Sequence, residues 1–81
     1  MKIYQFQGSS NISGKRVRIA RQRCGISQSQ LAARLQVEGI QLEQKAISRI
    51  ETGERLIADY ELLYLAKALN VSVLWLLLEE K

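Results

Sequence analysis

The 81-residue chain contains no histidine, no proline and a single cysteine, and each absence closes off a class of function. Without histidine, and with only Cys24, no zinc ligand set can be assembled and no internal disulfide can form. A cysteine nucleophile would lack the imidazole that normally activates it, so enzyme chemistry is poorly supplied and no cofactor is implied. Cys24 falls on the apolar face of a predicted helix, where packing is its expected role. Long apolar runs are missing too. The longest, Val73–Leu78, is six residues, far short of the roughly 20 that span a bilayer. Met1–Phe6 leads into Gly8-Ser9-Ser10-Asn11 without a hydrophobic stretch, so no signal peptide is read and a cytoplasmic protein is expected.

Acidic residues are absent from residues 1–37, which carry Lys2, Lys15, Arg16, Arg18, Arg21, Arg23 and Arg34. The remainder of the chain holds all eight acids, and the net charge is +4. A basic half suits a polyanion, although the same charges also serve as an ordinary solvated surface. What is plentiful is apolar residues, at 47%, enough for one modest globular core.

With little to interrupt it, the chain reads as mainly helical. Residues 1–13 form an N-terminal arm in which Ile3, Tyr4 and Phe6 can pack on the body, and residues 14–81 form one domain. Within it a first helix runs from about Lys15 to Cys24, ended by Gly25. Ser27 caps a second, Gln28 to about Leu35, with Gln30 completing a capping box and Ile26 at the staple position. Val37–Leu42 is a connection. A third helix spans Gln44–Thr52 and stops at Gly53. Asp59 caps a fourth, Tyr60 to about Leu69, ended by Asn70, and Ser72 caps a short fifth, Val73–Leu78.

The third helix has two unlike sides. At 100° per residue Gln44, Lys45, Ser48 and Arg49 fall within about 140° of one another, opposite Ala46, Ile47 and Ile50. One side suits a core and the other suits hydrogen bonding. Glutamine can pair with adenine N6 and N7, and lysine or arginine with guanine O6 and N7.

The string Ser27-Gln28-x-x-Leu31-Ala32, then Ala46-Ile47-Ser48-Arg49-Ile50-Glu51-x-Gly53, then Leu65-Ala66-Lys67-Ala68-Leu69-Asn70-Val71-Ser72, resembles the phage-repressor and Cro-like (XRE-type) helix-turn-helix family. The resemblance covers residues 14–77 in order. It implies a compact all-α, five-helix, lambda-repressor-like domain whose third helix lies in the major groove of double-stranded DNA. It further implies base contacts by Gln44, Lys45, Ser48 and Arg49, phosphate contacts by Gln28 and Ser27, and a pair, Arg21 with Glu51, that ties the first helix to the third. The N–H groups at the start of the second helix suit a phosphate independently. Two departures stand out. The Leu31–Ile47 stretch is longer than the family's spacing, and the link after Gly53 offers Arg55 as its one basic residue for a phosphate.

Leu63, Leu74, Trp75, Leu77 and Leu78 exceed what the inward stripes require, which points to a homodimer through the C-terminal region. The competing use is cover for the core together with the arm. The functional expectation is a sequence-specific regulator, a repressor acting by occupancy of an operator. The alternative is an antitoxin-like partner that uses the same fold to mask another protein. RNA is disfavoured because an exposed aromatic platform for stacking is missing.

Overall fold

The computed structural model describes residues 5–78, and the calls on Ile3 and Tyr4 lie outside them. Five helices follow one another: α1 Gly14–Arg23, α2 Gln28–Val37, α3 Gln44–Glu51, α4 Asp59–Leu69 and α5 Val73–Leu77. No strand is formed among the described residues, where the only bridge joins Phe6 to Ser9 in a tight turn.

One core serves all five. Val17 and Ala20 of α1, Leu31 and Leu35 of α2, and Ile47 and Ile50 of α3 are buried, as are Leu65 and Leu69 of α4 and Leu76 of α5. The helical spacing of these side chains turns one stripe of each helix inward, and burial of the stripes stabilises helices too short to persist alone.

The first four helices end alike. Gly25, Gly39, Gly53 and Asn70 stand in the left-handed region. In each case that residue and the next donate back into the last helical turn, as in Gly53 N to Ile50 O (3.0 Å) and Glu54 N to Arg49 O (2.8 Å). This paired closure satisfies carbonyls that the helix leaves open. Ser27 and Ser72 cap α2 and α5 through their hydroxyls.

Several expectations change. Cys24 is exposed at the C-terminal cap of α1, its thiol 3.5 Å from the carbonyl of Leu69 at the end of α4 rather than packed in the core, because its helical backbone carries the side chain to the margin of the core and not into it. Helix α2 runs two residues past Leu35, so the connection begins at Glu38. Its far end is no surface loop, since Leu42 is buried and Ile40 packs on the core. Asp59 is the first residue of α4 rather than its cap; Ala58 takes the cap position, and Glu61 reaches back to accept its N–H at 2.9 Å. Trp75 is half-buried, with Arg16 and Arg23 of α1 over its ring at 4.5 and 5.4 Å from the centroid. That stacking removes much of Trp75 from any docking surface, whereas Leu63, Leu74, Leu77 and Leu78 remain exposed. Phe6 is 54% exposed and adds little cover.

Candidate nucleic-acid interface

Helix α3 owes its place to its apolar side. Ile47 and Ile50 are fully buried, and this fixes the opposite side outward. Gln44, Lys45 and Arg49 are exposed there and Ser48 is half-exposed, so the four residues predicted to share a face do share it. Lys45 and Arg49 line an open groove of about 950 Å³ that also touches Glu43, Glu54 and Tyr60. Lys45 near the start of the helix and Arg49 in its last turn thus share one side, with the Glu43 and Glu54 carboxylates just beyond the two ends.

The N-terminus of α2 adjoins this face. Ser27 Oγ accepts from Gln30 N at 3.1 Å, and Ser27 N donates to Gln30 Oε1 at 2.8 Å, a complete capping box. Gln28, the first helical residue, donates from Nε2 to Glu51 Oε1 at 3.1 Å. The same carboxylate takes two hydrogen bonds from Arg21, Nε to Oε2 at 2.7 Å and Nη2 to Oε1 at 3.0 Å. Arg21 Nη1 also reaches the Ile26 carbonyl at 3.0 Å. One ion pair therefore joins α1, the turn before α2 and the end of α3. Glu51 holds the Arg21 guanidinium above its ordinary pKa through this hydrogen bond, against the opposing effect of burial.

Arg55 behaves otherwise than a free phosphate anchor. Its guanidinium donates to both Glu61 oxygens, at 3.0 and 3.3 Å, and to the Leu56 carbonyl at 2.8 Å. Burial pushes the Glu61 carboxyl up, but the bonds from Arg55 and from Ala58 N–H, with the Arg55 charge, outweigh it and hold the pKa low. The basic half of the sequence is likewise no single patch: Arg21 serves Glu51, Arg34 caps the Ala68 carbonyl at 3.1 Å, and Arg16 and Arg23 stack on Trp75.

Two residues that the sequence did not single out shape the site. Asn11 fastens the segment before α1 to the end of α3 and the turn beyond it, donating to the carbonyls of Ile50 (3.0 Å) and Arg55 (2.8 Å) and accepting from Gly14 N (2.7 Å). Ser29 donates to Gln44 Oε1 at 3.2 Å. Asn11 finds two of its partners 39 and 44 residues away, so nothing local announces it.

A family model described as helix-turn-helix, of the XRE and Cro-like type, matches residues 17–76, which is most of the chain. The chain belongs to this helix-turn-helix family. It is a DNA-binding regulatory family, and α2 and α3 are the helix-turn-helix pair of this member. No curated protein and no solved structure matches the chain. Among the described residues, no helix of this helix-turn-helix protein is long and apolar enough to cross a membrane.

Proposed function

We propose that this helix-turn-helix protein is a sequence-specific transcriptional regulator, acting as a repressor by occupying an operator. In this reading α3 enters the major groove with Gln44, Lys45, Ser48 and Arg49 against base edges. Gln28 and the capped N-terminus at Ser27 face a phosphate, where unpaired N–H groups and the helix dipole favour an anion. Gln28 retains one amide hydrogen for this contact after its bond to Glu51. Arg55 adds a weaker phosphate contact through the guanidinium hydrogens that Glu61 leaves free.

The observation that carries the reading is the exposed polar side of α3, held outward by Ile47 and Ile50 beside the N-terminus of α2. Exposed Leu63, Leu74, Leu77 and Leu78 support a homodimer, which reads a two-fold operator with half-sites about 34 Å apart.

Selection of bound sequences from a randomised duplex pool, at two salt concentrations, tests both parts. A two-fold consensus is expected, lost when Gln44, Lys45 and Arg49 are all replaced by alanine. Recovery of unenriched DNA, with binding that vanishes steeply as salt rises, would reduce the interaction to phosphate attraction and end the proposal.

A further inference from the structure

The segment ahead of α1 holds an aromatic side chain out in water. Phe6 and Ser9 exchange both backbone hydrogen bonds, at 2.8 and 3.0 Å, around a two-residue turn in which Gln7 and Gly8 are left-handed. The chain beyond it is fastened to the body: Ser10 N donates to the Gly53 carbonyl at 2.7 Å, and Asn11 holds the Ile50 and Arg55 carbonyls. Phe6 is therefore fixed where it stands, yet it is 54% exposed. It stands between two grooves. One, of about 340 Å³, is lined by Phe6, Ile12, Ile57, Leu62 and Leu77 together with uncharged polar residues of the arm. The other brings Phe6 and Ile12 together with Leu78. The exposed leucines at the end of α5 and the two exposed apolar side chains of the arm thus form one continuous surface.

We infer that a second copy of the chain docks on this joint surface of arm and α5, with Phe6 of each copy entering the groove beside Leu77 of the other. The inference rests on the proposed homodimer and locates its contact. Area argues for the arm. A stable interface buries about 800 Å² on each partner. Leu74, Leu77 and Leu78, already partly covered, can add only on the order of 200 Å². A contact through them alone falls well short, and the arm supplies the adjoining apolar area. Charge argues for a second copy. Among the described residues none that is charged lines the groove beside Leu77, so the surface meets its own image there without like-charge repulsion. The same neutrality offers a phosphate backbone nothing to bind. Shape agrees, because a protruding aromatic beside an open groove is self-complementary across a two-fold axis. A ring already held in place also loses little freedom on docking, as suits an anchor of the interface.

Sedimentation equilibrium of the full chain over a range of concentrations compares the wild type with Phe6→Ser, Ile12→Ser and Val37→Ser. Val37 is 84% exposed but lines neither groove, so it controls for the loss of an exposed apolar side chain elsewhere. A dimer of equal strength is expected for the wild type and for Val37→Ser. Phe6→Ser is expected to raise the dimer dissociation constant roughly thirtyfold, the loss of one aromatic anchor, and Ile12→Ser to raise it by a smaller factor. Helical content and melting temperature, measured on dilute monomer, provide the folding control, and Ile12→Ser decides the case should Phe6→Ser lose helix. A Phe6→Ser dimer as tight as the wild type's overturns the inference and leaves the homodimer standing, as does a Val37→Ser dimer weakened equally. A wild type that stays monomeric at every concentration, with and without the selected duplex, removes the homodimer and this inference together.

Discussion

Asn11 and Arg55, 44 residues apart in the chain, are joined by a hydrogen bond of 2.8 Å from the Asn11 side-chain amide to the Arg55 carbonyl. The same side chain holds the Ile50 carbonyl and the Gly14 N–H, so it stitches the start of α1, the end of α3 and the turn toward α4 at one point. Replacing it takes a hydrogen bond from three backbone groups of a partly buried crossing, of which the Ile50 carbonyl keeps its bond from Gly53 N. Asn11→Ala is expected to lower stability by about 2–3 kcal/mol, seen as an earlier urea midpoint at an unchanged slope. An unshifted midpoint would mean that water replaces the amide at no cost.

Gly14 begins α1 directly against α3. A Cβ there would collide with the Ile50 carbonyl oxygen and crowd Asn11 Oδ1. Helix propensity alone favours alanine over glycine by about 0.5–1 kcal/mol. Overpacking against backbone opposes that gain with about 1–3 kcal/mol. Gly14→Ala is therefore expected to destabilise, and thermal unfolding that shows any increase in melting temperature would refute the close approach of the two helices.

Arg21 and Glu51 form an ion pair more buried than Arg55 with Glu61, with side-chain exposures of 13% and 4%. Removing one partner strands the other charge. Arg21→Met is expected to cost about 3–5 kcal/mol, and Arg21→Met combined with Glu51→Leu to recover much of the loss. Denaturant titration of the three proteins decides it. A double variant less stable than the single one would show that Gln28 and Ile26, which share this network, need the charges themselves.

Glu61 gives the fold an acid-sensitive joint. Its folded pKa lies below the unfolded one, so on acidification the unfolded chain takes up the proton first. The stabilisation it supplies is complete above the ordinary glutamate value of about 4.3 and is lost as pH falls through the lowered folded value. Glu61→Gln is expected to be less stable than the wild type near neutrality, with the gap closing as the pH drops below about 4. Urea midpoints measured down the pH scale test this, and a gap that stays constant would exclude the carboxylate as its source.

The amphipathic reading of α3 and the burial of Ile47 and Ile50 follow from spacing, because a helix buries its residues at a period the chain itself displays. The capping box at Ser27 and the terminators Gly25, Gly53 and Asn70 are legible for the same reason: cap chemistry is completed within a few residues. Cys24 shows where such reasoning stops. Its helical backbone keeps it on the expected side, toward the end of α4, but neighbouring elements decide what covers that side, and the residue is exposed.

The charge pattern misleads in a similar way. Seven basic residues precede the first acid, yet Arg16, Arg21, Arg23 and Arg34 turn to an aromatic ring, a carboxylate or a helix-end carbonyl. Arg55, the one basic residue in the link after Gly53, is held by Glu61 six residues on. Charge is counted along the chain, but its partners are chosen in space.

The amino-acid order thus determined the five helices, their inward stripes and the polar side of α3, all set by interactions that close within one or two helical turns. Only the tertiary structure decided that Leu42 anchors the long connection, that Asn11 joins both ends of the motif's scaffold, and that Ser29 holds Gln44. Those contacts join residues from separate elements, and their geometry exists only once packing of the core has fixed where each helix lies.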